Sequence, residues 1–539
     1  MDTNCQYIPY QQTGFFSKMV IDYLQQDEKI HPFYKHPVSI YGIKAAIEAR
    51  KATQNHRQIL VEVLRKQYAG FALTTSQERN LNNLLLENTF TITTAHQPNI
   101  FTGHLYFIYK ILHTVKLALD LSATMPENYF VPVFYMGSED ADLDELGHVF
   151  VDGEKLTWDT KQTGAVGRMK VDKGLLALID RMAGRLEALP HGKEIIELFK
   201  AAYIIGSTIQ QATLHVVNSL FNNVGLLVLI PDNADLKRPF NHVIKRELRE
   251  RFSHPLVEAT AEKMREHYKV QASGRELNLF YLIDDNRERI EFVNSHFEVK
   301  SLHLQWTEKD ILNEADLYPE RFSANVILRG MFQEMILPNI AFIGGGGEVA
   351  YWLELKKVFE ACEVPYPVII LRNSFLLATQ SQINKIEKLG FTIEDFFKSE
   401  RTLLDTLVKR ESKQQLTIEN EKQVIIDAYN QIKNFTNKVD ATLNDHVASL
   451  AVKVEKSLSE LEKKMIKAEK KKFNAQALQI HRLKTQLFPE NRLQERNANI
   501  AEYYSLYGKD LLVGLLEYSL AFEAKLGVVT LPGNPRNID

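Results

Sequence analysis

The chain has 539 residues, of which 45% are hydrophobic, 25% charged and 10% aromatic, and a formal net charge of -3. That balance disfavours a protein that lives on nucleic-acid backbones, which would carry a basic excess. Its two cysteines, Cys5 and Cys362, make neither a disulfide framework nor a thiolate zinc site.

The length predicts roughly three or four structural units. With 29 Phe and 21 Tyr there is apolar area for a large interior, so disorder is expected only at the ends, where residues 534–539 look frayed. The start is polar and lacks a basic region followed by an apolar one, and no apolar run reaches membrane-spanning length. The expectation is a soluble cytoplasmic protein in a reducing compartment, with no membrane and no nucleic-acid partner.

In chain order, residues 15–90 read as helices, through Phe15, Met19 and Tyr23, then Ile43–Leu64 and Gln77–Leu86. The period changes at the Thr-rich run 89–95, which predicts a strand. A loop follows, then a helix over about 103–121, then a strand over 129–136 that ends in an acidic turn. A helix between two strands is a βαβ unit of a parallel sheet. Residues 152–206 read as a connective insertion with helices at 175–186 and from Lys193. The sheet pattern returns with helix 208–221 and strand 226–230, and a second variable stretch runs to about Arg321. Strand 340–343, a four-glycine loop, helix 348–362 and strand 368–371 close an α/β core with a mostly parallel sheet.

Between Gly390 and Pro489 there is neither glycine nor proline. Val447, Ala451, Val454, Leu458, Leu461, Met465 and Ala468 keep alternating four- and three-residue spacing, a coiled-coil seam. Ile425, Ala428, Ile432, Phe435 and Val439 form a second seam out of phase with the first. A turn near 439–444 would make an antiparallel hairpin, and a stutter in one long helix is the competing account. The basic run 463–472 reads as a solvated helix face. Beyond Pro489, apolar segments at 500–507 and 511–522 are expected to pack on the core.

Three constellations could carry chemistry. The first is the loop from His96, Gln97, Pro98 and Asn99 to Gly103 and His104, with Lys110 beyond. It lies between a strand's carboxyl end and a helix start, where open α/β sheets bind ligands and helix N–H groups favour phosphate. The plain alternative is a polar cap. The second is Gly137-Ser138-Glu139-Asp140-Ala141-Asp142-Leu143-Asp144-Glu145, whose carboxylates repel one another unless a cation or amine offsets them. Glu139 and Asp140 are expected to face a ligand, although acids also belong in a first helical turn. The third is Gly344-Gly345-Gly346-Gly347-Glu348, expected to offer backbone N–H groups as an anion cradle. There Glu348 and Trp352 share a face that could hold an ammonium and stack on a sugar or base. No Lys-Ser/Thr pair follows, so this is not a P-loop. Asn325, Arg329 and Gln333 recur every fourth residue, either as an exposed helix face or as a carboxylate-binding stripe.

Taken together, these stretches resemble one family. The loop His96-Gln97 to Gly103 with Leu105, Tyr106 and Lys110 is similar to its nucleotide-loop signature, and Gly137–Asp142 to its acidic motif. Residues 347–355 and the run Leu487-Phe488-Pro489 to Gln494-Glu495-Arg496 are similar to its later signatures. The family is that of the cysteine-adding ligases of bacillithiol biosynthesis, and the likeness spans nearly the whole chain.

The resemblance implies a Rossmann-like core over 1–375 with connective insertions near 152–206 and 240–320. It also implies a coiled-coil domain over 376–488 used for homodimerisation, and a C-terminal segment, 489–539, returning to the core. It implies joining of cysteine, through its carboxyl group, to the amine of glucosaminyl-malate. ATP or another nucleotide is the expected cofactor, with magnesium permitted and no zinc. His104 would stabilise developing charge, while Glu139 or Glu348 positions the amine. His96, Gln97, Asn99, Gly103, Lys110, Asp140, Asp142, Asn325, Arg329, Gln333, Trp352 and the four glycines 344–347 would bind nucleotide or substrate.

The resemblance also implies a core distantly similar to class I aminoacyl-tRNA synthetases, and the chain departs from their pattern. Phe101 stands where the first His of a His-x-Gly-His signature would fall, and Asp235-Leu236-Lys237-Arg238 is a poor substitute for a Lys-Met-Ser-Lys-Ser loop. Two readings stay open beside the ligase: a synthetase-like transferase acting on another amine, and a non-catalytic coiled-coil scaffold.

Overall fold

The computed structural model describes residues 3–53, 55–270, 274–414 and 416–533. The predicted fraying at 534–539 lies outside them. The chain divides into two compact units, Met1–Leu377 with Arg492–Asp539, and Ala378–Asn491.

The larger unit is built on a five-stranded parallel sheet. Its strands are β1 (Thr89–His96), β2 (Tyr129–Met136), β3 (Leu227–Leu229), β4 (Asn339–Gly344) and β5 (Val368–Leu371), in the order β5-β4-β1-β2-β3. Every residue of β1 is buried. Threonine suits this position because its branched side chain packs on a pleated surface while its hydroxyl finds a partner. Thr93 donates to the Asn339 side chain at 2.8 Å and Thr94 to the Ile343 carbonyl at 2.8 Å.

The connection from β1 to β2 is helix α1 (Leu105–Thr124), apolar nearly all round and buried accordingly. Phe90, Ile92, Ile340, Ile343, Val368 and Ile370 of the sheet form one core cluster with Leu117 and Leu121 of α1 and with Ile43 and Ile47 of the helix Ile40–Lys51. Beside it, Arg50 forms a buried ion pair with Glu334 at 2.8 Å and donates to the Asn339 carbonyl at 2.9 Å.

The first insertion holds the hairpin His148–Val151 with Glu154–Thr157 and the helices Lys173–Leu186 and Gly192–Ala202. The second holds helices Asn241–Glu250 and Ser253–Arg265 and two small antiparallel sheets. Helix α2 (Val326–Ile336) leads into β4, and α3 (Gly346–Ala361) joins β4 to β5. The polar N-terminus is a strand, Asn4–Pro9, paired antiparallel with Lys525–Leu531. Local sequence gives no sign of that pairing, because the partner lies at the far end of the chain.

The smaller unit contains the two seams as separate helices, α4 (Glu419–Val439) and α5 (Leu443–Lys470), broken at Asp440–Thr442. Lys422 donates to Glu462 at 2.6 Å and Asn444 to Asn437 at 2.9 Å, as only an antiparallel hairpin allows. The stuttered single helix is therefore excluded. The hairpin leaves Ile432, Phe435 and Val439 exposed at 45%, 67% and 82%. Among the described residues no helix is long and apolar enough to cross a membrane.

Candidate functional site

The register of the sheet gathers the site. His96 pairs opposite Met136, and Gly344 opposite Leu371, so the loops after β1, β2, β4 and β5 leave one carboxyl edge together.

After β1 the backbone takes positive φ at three consecutive residues, Phe101 (50°), Thr102 (68°) and Gly103 (61°). Only glycine fits at 103, because an added Cβ would lie 2.7 Å from Asn99 Cβ. Gln97 donates to Asp140 at 3.0 Å. Both side-chain polar atoms of Asn99, Thr102 Oγ1 and His96 Nδ1 are buried without a hydrogen-bond partner among the described residues.

The His96 ring stacks on Tyr106 at 5.3 Å. Burial, then Lys110, His104 and Arg329, holds it neutral, well below the usual histidine pKa. Lys110 is buried, donates to the Ala95 carbonyl at 2.9 Å and pairs with Glu348. Burial lowers its pKa, against the opposing pull of Glu348.

His104 sits at the N-cap of α1 but makes no cap bond with its side chain. Its ring lies among Tyr106, His148 and Phe150, with Nδ1 3.2 Å from the Asn497 carbonyl oxygen. A carbonyl can only accept, so Nδ1 carries the proton and Nε2 of the neutral ring is an acceptor. Burial lowers the His104 pKa and favours that neutral form. The expectation that His104 donates to developing negative charge is corrected on that ground. The first N–H of α1, at Leu105, is likewise committed, to the Ala498 carbonyl at 2.9 Å.

The acidic run is compensated from within. Glu139 pairs with Lys237 and accepts from the Ser323 hydroxyl at 2.9 Å, and Ser323 in turn accepts from Arg287 Nε at 3.1 Å. Its charge is offset by protein, which argues against Glu139 holding a substrate amine. Asp140 caps the Ala141 N–H at 2.8 Å, and Asp142 is the N-cap of the single turn Leu143–Leu146. Asp142 is structural, because an acid at an N-cap satisfies an orphan donor.

The four glycines do not form a loop. Gly344 ends β4, Gly345 is the N-cap of α3, and Gly346 and Gly347 are helical. None has positive φ. Close approach is real at Gly344, where a Cβ would meet Phe342 at 2.9 Å, while Gly347 faces open space. Glu348 takes the first N–H of the expected anion cradle itself, accepting from the Gly345 N–H at 2.8 Å.

Trp352 corrects another expectation. It is fully buried, stacked on Phe342 at 4.6 Å with Phe359 and Tyr366 around it, so no ligand can stack on it. Helical spacing from Glu348 placed it on the same side, but a wide apolar ring is drawn toward the sheet rather than toward its edge.

The polar stripe on α2 also separates. Asn325 is the N-cap and donates to Asn278 at 2.8 Å, and Gln333 is buried against Glu334 at 3.0 Å. The exposed-face reading fails for both Arg329 and Gln333. Arg329 donates to the Tyr351 hydroxyl at 2.7 Å. Burial works against its charge, yet Tyr351, Tyr135, Glu348 and Asp140 more than offset that and raise its pKa.

Sequence reading missed Lys237 as the partner of Glu139, and Arg372. The Arg372 guanidinium lies 5.3 Å from the Tyr106 ring and donates to Glu495 at 2.6 Å. Its Nε is buried without a partner among the described residues. The one signal for this pair was Glu495 in the C-terminal signature. The edge thus gathers Lys110, already paired with Glu348, Arg372, already paired with Glu495, and Arg329, and the two guanidinium groups work to lower the Lys110 pKa. Among the described residues no group of three or more His, Cys, Asp or Glu side chains could hold a metal ion. The unpartnered polar atoms at His96, Asn99, Thr102 and Arg372, with Arg329 nearby, fit a hydrogen-bonding ligand that carries an anionic group.

Fold and site together define a Rossmann-like α/β protein with buried polar groups gathered at the carboxyl edge of its sheet, in a chain that also carries a coiled-coil hairpin. Residues 2–373 match the family model described as the N-terminal Rossmann-like domain of the bacillithiol biosynthesis protein BshC, and residues 375–531 match its C-terminal coiled-coil domain. The chain belongs to the BshC family of bacillithiol biosynthesis. It is 37% identical over 534 residues to the Flavobacterium johnsoniae protein described as "Putative cysteine ligase BshC", covering 98% of this chain and 100% of that one. A Flavobacterium psychrophilum protein of the same description is 37% identical over 515 residues, 95% of this chain and 96% of that one. One from Bacillus cytotoxicus is 25% identical over 530 residues, 95% and 98% respectively.

Proposed function

We propose that this chain is a cytoplasmic ligase that joins L-cysteine, through its carboxyl group, to the amine of glucosaminyl-malate, as the last step of bacillithiol biosynthesis. Family membership and the description of its relatives as cysteine ligases support the substrate class. The observation that carries the chemistry is the 3.2 Å contact of His104 Nδ1 with the Asn497 carbonyl, which assigns the Nδ1–H tautomer. An amine that attacks an acyl carbon must lose a proton, and Nε2 of a neutral, half-buried histidine is suited to take it. His96, Asn99 and Thr102 would hold the nucleotide with Arg372. Arg329 would meet an anionic group of the substrate. The nucleotide, ATP with magnesium, would supply the activation that a free carboxylate lacks. Cations held at a water-poor sheet edge favour the charge that develops as the amide forms.

The hairpin is read as a homodimer interface, which the exposed Ile432, Phe435 and Val439 support. Mass spectrometry of purified protein given cysteine and glucosaminyl-malate, with and without ATP and magnesium, tests the reading. A thiol-bearing amide that forms only with ATP is the expected result. Product without ATP would remove the nucleotide step. No product from folded protein would overturn the ligase reading and favour another amine or a scaffold.

A further inference from the structure

We infer that Asn499, far from the loop in sequence, is the positioning residue of the His104 site. Phe101, Thr102 and Gly103 all have positive φ, a conformation that a β-branched threonine and a phenylalanine adopt only when their surroundings impose it. The imposing group is the Asn499 side chain. Its Nδ2 donates to the Phe101 carbonyl at 2.9 Å and to the Gly103 carbonyl at 2.5 Å. Its Oδ1 accepts from the Ala501 N–H at 2.8 Å, capping the helix Ile500–Tyr507. Oxygen toward an N–H and nitrogen toward two carbonyls is the one amide orientation in which every atom is satisfied. The side chain is fully buried.

The neighbours of Asn499 complete a strap. The Asn497 carbonyl accepts from His104 Nδ1–H and the Ala498 carbonyl accepts from the Leu105 N–H. From the other side, the Phe101 N–H donates to the Tyr203 hydroxyl at 2.7 Å. The loop held in this way carries the unpartnered Asn99 amide and Thr102 hydroxyl. A loop forced into positive φ that also keeps buried polar atoms unsatisfied is shaped for a ligand rather than for its own stability. Asn499 touches no reacting atom in this arrangement. It acts through the loop and through His104, a role that rests on the ligase reading above.

Two substitutions in the full chain test this, N499A and N499D. N499D keeps the shape and the cap on Ala501 but turns the donor that faces two carbonyls into an acceptor. Hydrogen exchange is read at residues 97–106, beside ligation kinetics. For N499A, exchange at 101–105 is expected to rise at least tenfold. Its kcat is expected to fall about tenfold, with KM for cysteine within about twofold, because His104 orientation matters most in the transition state. N499D is expected to match N499A at high pH and to recover as pH falls, since a neutral carboxyl again donates one O–H to a carbonyl. A role in fold stability alone would change turnover only in step with the folded fraction, whereas a positioning role lowers kcat per folded chain. N499A with unchanged exchange and turnover within twofold of the parent would overturn the inference. So would N499D without low-pH recovery, and this variant carries the test if N499A does not fold. If the parent chain makes no cysteine amide, the ligase reading fails by itself, and the exchange measurement still decides whether Asn499 holds the loop.

Discussion

Lys110 and Glu348 form a largely buried ion pair between α1 and α3, with 5% and 20% of their side chains exposed. The lysine is also tied to the Ala95 carbonyl and the glutamate to the Gly345 N–H, so the pair pins both helix starts to the sheet edge. Removing one partner leaves an uncompensated charge, which typically costs about 3 kcal/mol or more. K110M is expected to lower stability by about that amount. E348Q should cost less, because its amide oxygen still accepts from Gly345. In chemical denaturation, the double substitution K110M/E348Q should be less harmful than the sum of the two. Strict additivity would show that the pair is not coupled.

His113 predicts an acid-side loss of stability. Its Nδ1 accepts from the Asn373 N–H at 3.1 Å and its Nε2 donates to the Ala521 carbonyl at 3.0 Å, so a second proton would face an N–H. Burial pushes its pKa down to about 4 from the ordinary 6.5. The folded state therefore binds this proton less readily than the unfolded one. The contribution is full above pH 6.5 and is lost as pH falls toward 4, on the order of 3 kcal/mol in all. Urea midpoints measured across that window should fall more steeply for the parent than for H113Q. Parallel curves would remove His113 as the cause.

Trp352 should behave as a core residue. W352A is expected to cost about 3–5 kcal/mol. The milder W352F should lower the thermal midpoint while leaving KM for every substrate within about twofold. A selective rise in KM would restore a binding role to the indole.

Arg329 is the residue of the α2 stripe that reaches the charges of the site. R329M is expected to raise KM for the anionic substrate about tenfold or more, and R329K should recover little, since an ammonium cannot reproduce the guanidinium fork. Steady-state kinetics with each substrate varied in turn would locate the loss. Equal KM values in parent and variants would exclude Arg329 from binding.

The hairpin face predicts the oligomeric state. I432E with F435E places two charges on an exposed apolar surface. Light scattering on the parent should give twice the chain mass and on the double variant the chain mass. A monomeric parent would remove the dimer reading.

The candidate site was partly legible in the chain. The strand–loop–helix at 89–121 and the edge it creates follow from period and breakers, and His96, Lys110 and Glu348 do lie along that edge. Direction was not legible. Glu348 turns back onto its own helix start, Glu139 is answered by Lys237, and Trp352 points into the core. Spacing of three or four fixes which residues share a helix face, but not whether that face meets a ligand, a salt-bridge partner or another strand.

What the sequence by itself determined is the kind of element in each stretch. It determined the α/β class and the two seams of the hairpin, because these depend on local periodicity and on where glycine and proline interrupt it. Only the tertiary structure decided that Asn4–Pro9 pairs with Lys525–Leu531, and that Asn499 grips the loop at Phe101 and Gly103. Contacts between residues hundreds of positions apart leave no periodic trace, since they are selected by the shape of the whole folded unit and not by neighbours along the chain.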